Sequence, residues 1–480
     1  MSDRISRANM ILLIIVCFTQ FIEVMNSTTV VVALPSIQSA LHMRANDLQW
    51  IVTSYVLTFA CFLMIGGRAS DLLGRKRVLM IGLALFGLSS LAGALATDPV
   101  WLIASRAVQG IGAALSIPAA MSLISNNFPV GPQRNKAFGI FGALGSGGAA
   151  AGSIVGGLLT DSAGWRSLFY LNIPLALLLI VGLLFVKVSP TAVQEKQTID
   201  WLGLISVLAG IFVLVYGISM PDVDGAWPAT KIAMLIIGVL VLGLFILIET
   251  FAKNPLMPLR LFKFRSLVTS NIIGFLMFSY MTGFNYFSTL YFHELGYSSL
   301  AVGLAFLPLG LTSIVVTQIT PFIMRKFGAK RVLIVTQAIN ALGMFWLSQM
   351  DMDKSYASFI LPAFIVLGLS IGASYTAVIV GSVQDVEPEE HGIAGGIVNT
   401  FLQLGGSLGL SILATIAASV TASANDVPAN TALLSGFHTA LVVSGLFAIV
   451  ASLLAFMSGG KKRTAVSNPK DALVLRGEGR

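Results

Sequence analysis

The sequence predicts an all-α protein that crosses a membrane many times, and three observations carry that prediction. Of its 480 residues, 56% are hydrophobic and only 10% are charged, against about 25% charged in a typical soluble domain. Mean hydropathy is +0.88, so one water-facing core cannot hide the apolar surface and the solvent must be lipid. Apolar runs of the roughly 20 residues needed to span a bilayer recur fourteen times: 9–34, 48–66, 78–97, 100–125, 136–159, 168–187, 200–219, 231–251, 266–290, 300–324, 331–349, 357–382, 392–419 and 433–458. The breaks between them are short, rich in charge, Pro, Asn or Gly, and leave no room for a soluble domain.

Taken in order, the first run follows Arg4 and Arg7 as a signal peptide would. It is too long for a secretory core and contains Glu23, so it reads as a retained helix. Basic residues then set the orientation. With the N-terminus inside, 24 of the 29 Lys and Arg fall in cytoplasmic segments and four (Arg44, Arg166, Lys231, Lys354) fall outside. That asymmetry places both termini in the cytoplasm, and it explains the net charge of +8 without a nucleic-acid partner. Cys17 and Cys61 lie inside apolar runs and suggest neither a disulfide framework nor a metal site.

An internal repeat divides the chain. "DLLGRKRVLM" (71–80) and "MRKFGAKRVLI" (324–334) share Gly, Lys-Arg and Val-Leu in register, each on the cytoplasmic side after an even-numbered span. Two related helical halves suggest a transporter that rocks about a central site. The expected organisation is a six-helix half over 1–190, two extra central helices over 191–255, a second six-helix half over 256–460 and a basic cytoplasmic tail over 461–480.

Two charges sit deep in apolar runs, Glu23 in the first span and Arg106 in the fourth. At 1.5 Å per residue, Glu23 lies about 21 Å in from Asn9, and Arg106 about 18 Å from the same face of a ~30 Å core. Intramembrane charges are functional by default. A carboxyl that approaches and leaves a permanently charged guanidinium can load and release a proton, and a cationic substrate would exclude that proton. The alternatives are a static pair locking the two spans, or Arg106 bonded to backbone carbonyls near the fifth span with Glu23 titrating alone. Asn26, one turn from Glu23, reads either as a hydrogen-bond partner of Glu23 or substrate, or as packing.

In the 67–77 loop, Asp71 with Arg75 and Lys76 suggests a cytoplasmic latch, beside the plainer reading of a positively charged anchor. The glycines of the fifth span, Gly142, Gly145, Gly147, Gly148, Gly152, Gly156 and Gly157, allow close helix approach, either as a pliable helix between halves or as ordinary tight packing. The ninth span, "NIIGFLMFSYMTGFNYFSTLYF" (271–292), has aromatic and Met residues that would suit flat lipophilic cations or simply pack. His293 and His438 read as packed side chains. There is no nucleotide loop, no metal-spaced cluster and no nucleophile–base pair, so the chain does not read as an enzyme, and the expected cofactors and metals are none.

Several stretches resemble the major facilitator superfamily and, within it, the fourteen-helix drug:proton antiporters. "GGRASDLLGRKRV" (66–78) matches the superfamily loop motif through Gly67, Asp71, Gly74, Arg75 and Lys76. "LIASRAVQGIGAA" (102–114) matches its helix 4 motif through Arg106, Gln109, Gly110 and Gly112. "GWRSLFYLNIP" (164–174), "NPLMPLRLFKFRSL" (254–267) and "GIAGGIVNTFLQLGGSLG" (392–409) are similar to stretches of the fourteen-helix branch. "GAAAGSIVGG" (148–157) carries the helix 5 glycines Gly148, Gly152, Gly156 and Gly157, with Ser153 where the family has proline. Asn26 stands where many relatives have an embedded aspartate, and Val31 where they often have Asn. The resemblance implies a major facilitator fold of fourteen helices. It also implies a monomer in the bacterial inner membrane that exports lipophilic, cationic or neutral compounds in exchange for protons. Its partners are then a small-molecule substrate, protons and membrane lipid. The alternative is proton-coupled export of one metabolite, siderophore, peptide or lipid, because a fold does not choose its substrate.

Overall fold

The computed structural model describes residues 7–129, 132–186, 200–220, 227–252, 255–387, 390–424 and 428–457. The tail expected at 461–480 and the boundary expected at 190/191 lie outside the described residues. Fourteen α-helices follow one another: α1 (Arg7–Leu41), α2 (Ala45–Leu73), α3 (Arg75–Ala94), α4 (Pro99–Asn127), α5 (Pro132–Ala163), α6 (Arg166–Phe185) and α7 (Trp201–Ser219); then α8 (Ala229–Phe251), α9 (Arg265–Glu294), α10 (Ser299–Phe327), α11 (Ala329–Leu347), α12 (Leu361–Ser382), α13 (His391–Ser423) and α14 (Ala429–Met457). Among the described residues twelve are long and apolar enough to cross a membrane. Helix α2 is apolar over the shorter stretch Asp47–Leu63. Helix α11 opens on Lys330 and Arg331 and holds Gln337 and Asn340. Fourteen helices are therefore present, while length and apolarity alone qualify twelve as spans.

The helices outrun the apolar runs that announce them. Helix α1 has 35 residues, roughly 52 Å at 1.5 Å per residue, and continues through Pro35 to Leu41. Charged or hydroxylated residues start several of them. The carboxylates of Asp98 and Asp200 accept from Trp101 N and Gly203 N, each at 2.9 Å, and Ser298 Oγ accepts from Ala301 N at 3.3 Å, satisfying backbone donors that the first helical turn leaves free.

The repeat seen in the sequence has a backbone counterpart. Gly74 joins α2 to α3 at φ +91°, ψ 129°, and Gly328 joins α10 to α11 at φ +81°, ψ 152°. A Cβ is strained there, which explains glycine at both matching positions. Gly74→Ala is expected to cost about 1–3 kcal/mol, read as a lowered thermal midpoint in detergent, with Gly328→Ala behaving alike.

Packing repeats as well. In the first six helices α2 lies on α4, α1 on α5, and α3 on both α4 and α6; in the last six α10 lies on α12, α9 on α13, and α11 on both α12 and α14. The two sets meet along α5–α10 and α2–α13. Helices α7 and α8 pair with each other, and α7 touches both α2 and α13. Trp50 of α2 sits 6.1 and 6.4 Å from the rings of Phe212 and Tyr216 on α7, and Thr415 of α13 donates to the Ile218 carbonyl at 2.9 Å. Because the helices are even in number, both described chain ends lie at one end of the bundle, here the terminal end; the other is the distal end.

Candidate functional site

Glu23 and Arg106 are both buried, at 5% and 1% exposure, and Tyr55 of α2 stands between them. The Tyr55 hydroxyl donates to Glu23 Oε2 at 2.9 Å, while the Arg106 guanidinium lies over the Tyr55 ring, 4.3 Å from its centroid. Among the described residues Glu23 Oε1 has no donor. Arg106 Nε donates to the Ile51 carbonyl at 3.1 Å, and its Nη1 donates to Gln109 Oε1. The backbone contact expected near the fifth span is therefore made with α2, because α4 packs its length on α2 and meets α5 only briefly.

Asn26 does not bond Glu23. Its Oδ1 accepts from Asn172 Nδ2 of α6 at 2.8 Å and from Gln109 Nε2 at 3.3 Å. Gln109 Nε2 also donates to Ser90 Oγ of α3 at 2.7 Å, so Gln109 links the guanidinium to a neutral amide cluster. The amide keeps the cluster uncharged. Gly110 of α4 packs on α2, where a Cβ would fall 3.1 Å from the Tyr55 carbonyl carbon. That close approach sets the Tyr55 backbone directly against the turn carrying Arg106 and Gln109.

The helix 5 glycines divide by direction. Cβ atoms on Gly148, Gly152 and Gly156 would meet Phe21, Met25 and Thr29 of α1 at 2.5–2.8 Å from the nearest backbone atom. Only Gly157 faces the other set, 2.5 Å from Leu300 Cα of α10. Three of the four therefore seat the helix that carries Glu23, and Gly157 seats α10.

In the loop motif, Lys76 Nζ donates to the Val186 and Leu184 carbonyls at 2.9 and 3.4 Å, closing the end of α6, where a cation suits the helix terminus. Arg68, within the same motif, donates to the Pro255 carbonyl after α8. A Cβ on Gly67 would meet nothing within 4 Å. The side chain of Asp71 lies outside the described residues, and Arg75 is engaged with a partner.

Two further acids have other work. Glu249 accepts from Leu256 N and Met257 N at 3.1 and 3.0 Å, and Asp161 from Ser299 N and Leu300 N at 3.1 and 2.9 Å. On α9, Met277, Tyr280, Phe284, Tyr286 and Phe287 are buried, and Phe284 packs on Phe364 and Phe306 at 5.4 and 6.1 Å. Phe275, Phe278, Met281 and Asn285 are half-buried. His438 is bonded to the Met350 carbonyl at 2.5 Å.

Sequence reasoning missed Tyr55, an aromatic in an apolar run with no charge to mark it. It also missed a neutral network in the second set. Tyr280 donates to Gln337 Oε1 and accepts from Asn340 Nδ2, both at 2.8 Å, and Ser370 and Ser374 of α12 bond Asn340 at 2.5 and 3.2 Å. The available signal was the amide pair spaced three residues apart, Gln337 and Asn340, echoing Arg106 and Gln109.

With the geometry in place, comparison decides the family. Residues 16–410 match the Major Facilitator Superfamily. The chain belongs to that superfamily. Within this superfamily it is 34% identical to the cephamycin export protein CmcT of Amycolatopsis lactamdurans over 92% of this chain and 91% of that one. It is 35% identical to the puromycin resistance protein pur8 of Streptomyces alboniger over 86% and 82%. An auto-inhibited POT-family peptide transporter superposes with TM-score 0.70 at 13% identity, over 93% of this chain and 96% of that one, which speaks to the superfamily fold alone.

Proposed function

We propose that this protein exports lipophilic, cationic or neutral small molecules from the cytoplasm in exchange for protons, by alternating access between α1–α6 and α9–α14. Relatives named for cephamycin export and puromycin resistance support antibiotic-type substrates. The basic residues gathered toward the terminal end support a cytoplasmic location for that end, in a bacterial inner membrane. The gradient drives the cycle, with no cofactor, and one chain carries the whole site.

The observation that carries the reading is the divided environment of Glu23: one carboxyl oxygen held by Tyr55 and the other buried without a donor. Ionised, the free oxygen accepts an ammonium or N–H of a substrate. Protonated, it offers no charge to a cation, so substrate and proton exclude each other. Arg106 is a fixed charge because arginine stays protonated at any working pH. Tyr55 transmits its influence, with the ring under the guanidinium and the hydroxyl on the carboxylate.

Everted vesicles bearing the protein are expected to accumulate ethidium or puromycin on acidification of their lumen, and a protonophore should collapse the accumulation; accumulation insensitive to the protonophore would refute proton coupling. Tyr55→Phe keeps the ring and loses one hydrogen bond, so driven uptake should fall about two- to tenfold, the worth of one such bond. Tyr55→Leu also removes the cation–π contact and should fall further, by an additional ~0.5–2 kcal/mol. Initial uptake rates at matched expression check both.

A further inference from the structure

The distal ends of α5 and α10 are joined by more than packing. The first backbone N–H groups of α10 are all satisfied, but from two sources. Ala301 N and Val302 N bond to Ser298, through its hydroxyl at 3.3 Å and its carbonyl at 3.0 Å. Ser299 N and Leu300 N bond across to the Asp161 carboxylate on α5, one oxygen each, at 3.1 and 2.9 Å. The carboxylate lies at the positive end of the α10 dipole, where an anion is stabilised. Asp161 is solvent-exposed, so water can replace it when the two helices part.

Below this contact the two backbones touch. A Cβ on Gly157 would lie 2.5 Å from Leu300 Cα, one on Gly303 2.7 Å from the Ser153 carbonyl carbon, and one on Gly310 3.2 Å from Ala150 Cβ. Small residues therefore bring the first and second helix sets together along α5–α10 from the bundle's middle to its distal end. The described hydrogen bonds that link α5 to α10 are those of Asp161 at the tip.

We propose that Asp161 is the latch of the distal gate: its carboxylate on the start of α10 holds the two helix sets together in the distally closed state, and its release accompanies opening. Apolar contact among small residues supplies the surface, and the paired charge-assisted hydrogen bonds supply a dissociable catch. On the alternating access proposed above, the helix sets have two discrete arrangements to choose between, and the latch favours one of them. This role is independent of whether Glu23 carries the coupled proton.

The test places spin labels at Thr97, in the distal loop between α3 and α4, and at Asp353, in the distal loop between α11 and α12, on the full-length protein in nanodiscs. Double electron–electron resonance then reads the separation of the two sets. Wild type should show mainly the short, closed distance. Asp161→Asn should raise a longer-distance population about fivefold or more. Ser299→Pro attacks the same latch from the other side: it deletes one donor N–H at a first helical position, where proline is well tolerated. It should produce the same longer distance even if Asp161→Asn inserts poorly. The double variant should open the gate no further than the larger single effect, because both break one interaction. Unchanged distance distributions in both single variants, or effects that simply add, would overturn the proposal.

Discussion

Glu23→Gln is expected to abolish pH-driven export, reducing ethidium or puromycin accumulation in energised vesicles to the level of vesicles without the protein. Substrate exchange in the absence of a gradient should persist at raised substrate concentration, because the neutral amide, like the protonated carboxyl, weakens cation binding without removing the rest of the site. The substitution keeps the shape of the side chain and leaves Tyr55 an oxygen to donate to, so the helix packing around position 23 has little reason to change. What disappears is the switch between a charged and a neutral state at a buried oxygen that no donor among the described residues satisfies. Retained exchange separates lost coupling from lost binding. Asp161 and Glu249 are poor substitutes for Glu23 in that role, because the carboxylate of each already accepts two backbone N–H groups.

Arg106→Lys is expected to be nearly as damaging as removing the charge. The guanidinium reaches three targets at once: the Ile51 carbonyl, Gln109 Oε1 and the face of Tyr55. A lysine ammonium is a point charge without the planar fork and cannot serve all three. Each buried acceptor left unpaired costs about 1–3 kcal/mol, although hydrogen bonds between membrane helices average nearer 0.6 kcal/mol. A loss of roughly 2–4 kcal/mol of stability is therefore expected, measured as a lowered unfolding midpoint in detergent, together with at least a tenfold loss of driven uptake, about 1.4 kcal/mol. A variant that transports normally at a lowered midpoint would make Arg106 a purely structural residue.

The sequence shows its fold through features that lipid imposes on every span: length, apolarity and the charge of the breaks. It shows the repeat through Gly74 and Gly328, because only glycine sits comfortably at their backbone angles. The depth of Glu23 and Arg106 could be counted, since a helix converts residue number into height. Their azimuth could not, and azimuth decides contact. Arg106 turns toward α2 and Glu23 meets Tyr55, so the two charges communicate through an aromatic ring that nothing in the one-dimensional pattern singles out. The helix 5 glycines show the same limit. Close approach was legible, but which partner each glycine approaches was not, and three of them serve α1. The Ser153 that replaces the family's proline presents its carbonyl to Gly303 of α10, a contact made by backbone and so invisible to residue identity.

The most direct measurement is proton release on substrate binding. Purified protein in weakly buffered detergent, at a pH where Glu23 is largely protonated, is mixed with ethidium or puromycin while a pH indicator is followed. Exclusive occupancy at Glu23 predicts that wild type releases protons as the cation binds and that Glu23→Gln binds the cation more weakly and without release. Equal release from both proteins, or binding by wild type with no release, would contradict it.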